Sequence, residues 1–336
     1  MLLHIGHHKT GTTFLQEHVF TRDKGFCFPW TVYTGEAIEH FVLSHPRRFE
    51  PEPVRAAFDS AIDAHGGRGL VPVISHEDLN GHPLHARYYG FQVAERLHGT
   101  FPDARVLIAV REQKSMIRSL FGQYIVQDGI WPIADFIGTG DERPGFRPIC
   151  RLDHLEYDLL VDHYRRLFGP DRVLVLPFEL LKRDALEFEQ RIHDFAGTPK
   201  PAEAYHPPEN VGLGAMTLAV NQWLNRFTRK PLLPGLDYFS LPRSYRAKQR
   251  ICRVLQRIIP ERWHHARDQA IKAYIVNRVG SYYQQSNRRL AEMTGLDLRS
   301  FGYDVAGTDN VVRRPASLDR GQDDASIALQ MVPQLT

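Results

Sequence analysis

The sequence predicts an α/β protein of three layers, αβα, with a central parallel sheet of four to five strands and a helical elaboration toward the C-terminus. Three observations predict it. Short apolar runs of strand length recur at Leu2–Ile5, Leu70–Ser75, Arg105–Val110 and Arg172–Leu176. Amphipathic stretches of helical period separate them, and such alternation calls for parallel strands joined by crossover helices. Glycines punctuate the first strand–helix junction at Gly6 and Gly11, where a turn is required.

The elements follow in order. After Leu2–Ile5, Phe14, Leu15, His18 and Val19 fall on one helical face from Thr12 onward. Residues 21–65 read as an insertion, loop-rich to 50 and helical from Pro51 to His65, before Gly-Gly-Arg-Gly at 66–69 breaks the chain. Pro72 in the second strand belongs where its missing N–H is not needed. Ala86–Leu97 and Glu112–Gln127 are expected helices on either side of Arg105–Val110. Residues 128–150 read as a long loop able to cover a site. Leu152–Phe168 is an expected amphipathic helix with Leu155, Leu159, Leu160, Tyr164 and Leu167 inward. After the fourth strand a helix runs from Ala185 to Phe195 and stops at Gly197. Proline-rich 199–208 is a linker, and 211–228 and 243–293 read as helical. The expected organisation is one domain over 1–305, with helical insertions at 21–65 and 200–293, and a mobile or surface-packed tail over 306–336.

Composition narrows the class. The chain has 336 residues, 43% hydrophobic and 24% charged, as in ordinary globular proteins. A net charge of +3 is too small to argue for nucleic acid. No apolar run of about eighteen residues suggests a membrane span. A cleavable leader would remove the first strand and its turn, so none is expected. Cys27, Cys150 and Cys252 are widely spaced and odd in number, which fits reduced structural thiols and a cytoplasmic setting.

Leu2 to Glu17 carries the chemistry. Strand, glycine turn and helix place backbone N–H groups and the positive end of a helix dipole around His8, Lys9, Thr10, Gly11, Thr12 and Thr13, which is a cradle for a phosphate-like oxyanion. The strict nucleotide-triphosphatase pattern puts lysine after the second glycine. Here Lys9 precedes Gly11, so that pattern fails. Lys-Thr-Gly-Thr-Thr after a strand resembles the 5′-phosphosulfate loop of the sulfotransferase family. The resemblance implies a P-loop NTPase-like fold and, as co-substrate, 3′-phosphoadenosine-5′-phosphosulfate (PAPS), with adenosine-3′,5′-bisphosphate as product. It touches most of residues 2–303, including Val173–Leu181, Phe195-Ala196-Gly197, Ser286–Ala291 and Gly302-Tyr303, but its specific matches lie in the first 120 residues.

In that family an arginine at the end of the third strand and a serine eight residues on hold the 3′-phosphate. Arg111 and Ser119 match, and Lys114 and Arg118 lie nearby. A guanidinium presents a planar fork of donors to phosphate oxygens. At the end of the second strand the resemblance puts the acid–base residue among Ser75-His76-Glu77-Asp78. Relatives often read Ser-Ser-Glu, so His76 departs from the pattern and Glu77 keeps it. Glu77 is the expected base, with His76 second, because the acceptor hydroxyl must lose its proton as the new bond to sulfur forms. Lys9 is placed to stabilise charge on the departing phosphate. The implied activity is sulfuryl transfer to a hydroxyl or amine of a carbohydrate, lipid or small molecule. A P-loop kinase or nucleotidase using ATP and magnesium, with His76-Glu77-Asp78 as metal-holding acid, is the alternative. No metal site is expected, since His7-His8 and His264-His265 are only adjacent pairs, and neighbours on a strand point to opposite faces.

The acceptor is not legible, although a saccharide or glycolipid suits the class, and no nucleic-acid partner is expected. Arg243–Arg267 holds eight Lys/Arg and one carboxylate, Glu261. Peripheral contact with an anionic surface and a solvated face whose arginine stems cover the core are both open, the second preferred.

Overall fold

The computed structural model describes residues 1–31, 35–138, 149–203, 212–228 and 244–307. A five-stranded parallel sheet has the order β2-β3-β1-β4-β7. Its members are β1 (Leu2–Gly6), β2 (Phe26–Cys27), β3 (Val71–Ser75), β4 (Arg105–Val110) and β7 (Val173–Pro177). A separate two-stranded ladder joins β5 (Ile137–Gly138) to β6 (Cys150–Arg151).

Side chains alternate across the strands, and the two faces feed two cores. Leu3, Ile5, Ile74, Val106, Ile108, Val110 and Val175 face one way. That core is completed by α3 (Pro51–Ala64), α4 (Gly90–Thr100), α5 (Gln113–Val126) and α7 (Tyr157–Phe168), then by α10 (Ala215–Thr228), α12 (Glu261–Val279) and α13 (Gln284–Thr294). Leu2, Val73, Leu107 and Leu176 face the other way. They meet α1 (Thr12–Phe14) with the π-helical turn Leu15–Val19, α8 (Phe178–Arg183) and α9 (Ala185–Ala196). The three-layer αβα expectation is therefore met, with five strands.

Within the five-stranded sheet, the strand that sequence reading missed is β2; the short β5 and β6 lie in and at the end of the expected loop over 128–150. The two residues of β2 are too few to show a period, and they pair only with Val71 and Pro72. Pro72 is tolerated because pairing of β3 with β1 begins one residue later, at Val73 with Leu2. The insertion after the first helix holds β2, α2 (Glu36–Ile38) and short 3₁₀ and π turns before α3.

Helix bounds follow local capping. α5 starts where the Glu112 carboxylate accepts from the N–H groups of Lys114 and Ser115. α9 ends on Gly197 at φ 77°. α4 begins at Gly90, not Ala86, because Ala86 takes a left-handed φ of 53° beside the His82–Arg87 bridge. The 152–168 stretch is not one helix. A 3₁₀ turn, Leu152–Leu155, precedes α7, and this break shifts the helical phase. Tyr157, Val161, Tyr164 and Phe168 are buried, whereas Leu159 is 54% exposed.

Residues 139–148 of the expected covering loop, 204–208 of the linker and 308–336 of the tail lie outside the described residues. The rest of 128–150 includes α6 (Ile133–Phe136). In the basic stretch, α11 (Ser244–Ile258) buries Lys248 against Asp128 and Asn225. It leaves Ile251, Val254 and Ile258 exposed by 44%, 56% and 66%, so the preferred picture of arginine stems covering apolar surface does not describe that face. All three cysteines are buried and unpaired. Among the described residues, no helix is long and apolar enough to cross a membrane.

Candidate active site

The carboxyl ends of β1, β3, β4 and β7 open on one edge of the sheet. The chain leaves β1 toward β2, whereas β3 crosses back over β1 to β4. A reversal of this kind forms a crevice at the end of the central strand, and residues 7–11 occupy it.

The turn needs its glycines for different reasons. A Cβ on Gly6 would stand 2.9 Å from Thr12 Oγ1 and 3.1 Å from His4 Nε2. Gly11 has φ 88° and packs under Leu181 and Phe178 of α8. Lys9 itself has φ 69°, a conformation unusual for a residue with a side chain. It is held by its surroundings, since Thr10 donates its hydroxyl to the His7 carbonyl at 2.6 Å. No side chain caps α1, and the first amides of a helix have no partner within it. Thr12 is buried with its hydroxyl unpartnered, and Thr13 is exposed. Lys9 reaches solvent, yet partial desolvation and then the Arg111 charge hold its ammonium pKa below the usual lysine value, with Glu77 opposing them.

Arg111 follows β4 and reaches back to this turn. It donates from Nη1 to the Lys9 carbonyl at 3.1 Å and from Nε to Ser115 Oγ at 3.1 Å. Its guanidinium lies 5.2 Å from the centre of the Phe178 ring. Burial lowers its pKa, partly offset by Glu179. Glu179 is in turn raised by burial, while it accepts from the Glu112 N–H at 3.0 Å and the Tyr303 hydroxyl at 3.1 Å. The structure thus brings Arg111 to Lys9. The hydroxyl it brings to Arg111 is that of Ser115, and Ser119 lies one turn further along the same face of α5. Arg118 pairs with Asp268 at 2.7 Å and Lys114 with Asp304 at 3.5 Å.

The end of β3 supplies the opposite wall. His76 caps the 3₁₀ turn Glu77–Asn80 by accepting the Asp78 N–H on Nδ1 at 3.1 Å. Glu77, in the first position of that turn, is close enough to Lys9 to favour its charged form. Gln16 fastens the π turn to β3 through the Ser75 carbonyl and hydroxyl, both at 3.1 Å. His7 Nε2 lies 2.9 Å from Asn80 Nδ2. His8 Nε2 lies 3.0 Å from Asp78 Oδ1, and His82 Nε2 is 3.8 Å from the same oxygen. Burial pushes the Asp78 carboxyl up, but the His8 hydrogen bond and the neighbouring imidazoles leave it below the ordinary value. Burial lowers His82 to about 4 and His154, beside His7, to about 4.

His8, Asp78 and His82 offer ligand atoms that all lie within 4.8 Å of one another. The expectation that no metal-like cluster exists is corrected on this point. It rested on adjacent histidines, whereas these donors come from separate turns.

The chain is similar to a sulfotransferase from Alicyclobacillus acidocaldarius. That solved structure shares 19% identity and a TM-score of 0.45, over 66% of this chain and 91% of the other. No family model matches the chain, and no curated protein does.

Sequence reading did not find Phe178, Glu179, Ser115, Gln16, Tyr157 or Tyr303 as site neighbours. For Glu179 a signal existed, since it follows a strand end as Glu77 does. Tyr157 and Tyr303 come from α7 and from beyond α13, and only packing brings them here.

Proposed function

We propose that the protein transfers a sulfuryl group from PAPS to a hydroxyl or amine acceptor. The observation that carries this reading is the joining of Lys9, the uncapped glycine turn and the Arg111 guanidinium at one crevice. Such a site suits a dianionic leaving group and is built without the lysine position of a nucleotide triphosphatase.

In this reading the amides around Gly11, Thr12 and Thr13 and the Lys9 ammonium hold the 5′-phosphosulfate. Arg111, with Ser119 on α5, takes the 3′-phosphate side. The acceptor oxygen bonds to sulfur, the bond from sulfur to the bridging phosphate oxygen breaks, and that oxygen carries the departing charge against Lys9. The acceptor proton goes to Glu77. His76 is the poorer base because its Nδ1 already accepts a backbone N–H, so the neutral ring carries its proton on Nε2. The ATP and magnesium alternative has less support. Asp78 is turned toward two imidazoles, which is not the all-oxygen setting magnesium prefers. A saccharide or glycolipid acceptor and a cytoplasmic location belong to the same proposal, the latter because the buried unpaired cysteines suit a reducing compartment.

Calorimetry with adenosine-3′,5′-bisphosphate against ADP, with and without magnesium, tests it. Metal-independent binding of the bisphosphate, tighter than that of ADP, is expected; magnesium-dependent preference for the adenosine di- or triphosphate would refute the reading. Lys9→Ala should then lower turnover of labelled PAPS by about 10²–10³ while the protein stays folded.

A further inference from the structure

We propose that His8, Asp78 and His82 form a binding site for a divalent transition-metal ion of the zinc type. The proposal does not depend on the reaction assigned to the neighbouring turn.

The geometry is close to what such an ion requires. Bonds of 2.0–2.1 Å in a tetrahedron set neighbouring donors about 3.3 Å apart. His8 Nε2 and Asp78 Oδ1 are 3.0 Å apart, His82 Nε2 and Asp78 Oδ1 3.8 Å, and all three donors lie within 4.8 Å. Two imidazoles thus converge on one carboxylate oxygen, yet His82 is too far from it for a hydrogen bond. The other ring nitrogen of His82, Nδ1, is buried and has no hydrogen-bond partner. The ring of His82 lies 4.7 Å from that of His8, centre to centre, so both imidazoles stand beside the same carboxylate.

The donors are held in place before any ion arrives. Asp78 and His82 sit on either side of a tight turn in which Gly81 N donates to Asp78 O at 3.0 Å. His82 N donates to Arg87 O at 2.7 Å, and Arg87 N returns to His82 O at 3.1 Å. His8 is fixed by the strand–turn junction, with Asn80 binding its neighbour His7. The ring of His85 lies 4.2 Å from that of His82, centre to centre, at the rim.

The donor set also selects the ion. Two nitrogens and one carboxylate suit zinc, cobalt, nickel or copper and disfavour magnesium and calcium, which take oxygen ligands. Three protein ligands leave one tetrahedral position for water or a ligand atom, the arrangement of an open site.

The test uses the untagged full chain, stripped with chelator and then dialysed against zinc without nucleotide, with retained metal measured by mass spectrometry. About one equivalent is expected for the unaltered chain, with retention at low micromolar zinc falling at least tenfold in His82→Gln and in Asp78→Asn. A rise in the unfolding temperature of the unaltered chain with zinc, absent in both variants, is the paired readout. Should a variant fail to fold in chelator, the visible spectrum of the cobalt-loaded unaltered chain decides. Intense four-coordinate bands support the site, and the weak bands of octahedral cobalt overturn it. Failure of the unaltered chain to retain zinc would overturn it too, as would undiminished retention in both folded variants.

Discussion

Arg111→Ala is the most informative single change. In the folded chain the guanidinium makes two hydrogen bonds, to the Lys9 carbonyl and Ser115 Oγ, and stacks on Phe178. A hydrogen bond involving a charged group contributes about 1.5–3 kcal/mol and an exposed to half-buried cation–π contact about 0.5–2 kcal/mol. The Ser115 hydroxyl keeps a second partner, the Glu112 carbonyl at 2.9 Å, so part of that loss is recovered. Glu179 loses a neighbouring cation but keeps the Glu112 amide and Tyr303. The net cost in stability is therefore about 2–4 kcal/mol, readable as a shift in the urea midpoint. Binding of adenosine-3′,5′-bisphosphate loses a further 1.5–3 kcal/mol or so, a factor of about 10–100 at 1.4 kcal/mol per decade. Arg111→Lys keeps the charge but not the fork, and should recover under half of that affinity loss in free-energy terms. A folded Arg111→Ala protein that binds the bisphosphate as tightly as the unaltered chain would refute the assignment of this residue.

Other outcomes follow from the same geometry. Gly6→Ala should cost about 1–3 kcal/mol in urea unfolding, because the new methyl meets Thr12 and the fully buried His4; an unchanged midpoint would mean that the turn is looser than drawn. Burial lowers His4 to about 3 and His154 and His193 to about 4, so these rings are neutral in the folded chain and bind protons once unfolded. Stability should hold above the unfolded value of about 6.5 and fall as the pH drops from there toward 4, by up to about 4 kcal/mol between pH 7.5 and 5.5 for the three together; a flat pH profile of urea unfolding in that window would contradict it. Lys248→Met leaves the partly buried Asp128 and the Asn225 side-chain oxygen without their cation and should cost about 2–4 kcal/mol, whereas Lys248→Met with Asp128→Asn should recover much of this in the same assay.

The sequence by itself determined the parts that are local in the chain. Four of the five sheet strands, the position of the glycine turn and the bounds of α5 and α9 follow from apolar runs, Gly6, Gly11, Glu112 and Gly197. Local hydrogen bonding and backbone conformation fix these, so neighbouring residues carry the information. What only the tertiary structure decided is how separate turns meet. The Arg111 guanidinium lies against Lys9 across 102 residues, and Tyr303 meets Glu179 across 124. Two-residue β2 gains its identity from the strand beside it, and α7 its phase from the 3₁₀ turn before it. His8, Asp78 and His82 come together because β1 and β3 are adjacent and parallel, which aligns their carboxyl ends. Residue spacing along the chain does not encode that adjacency, because it depends on which faces the whole sheet must bury.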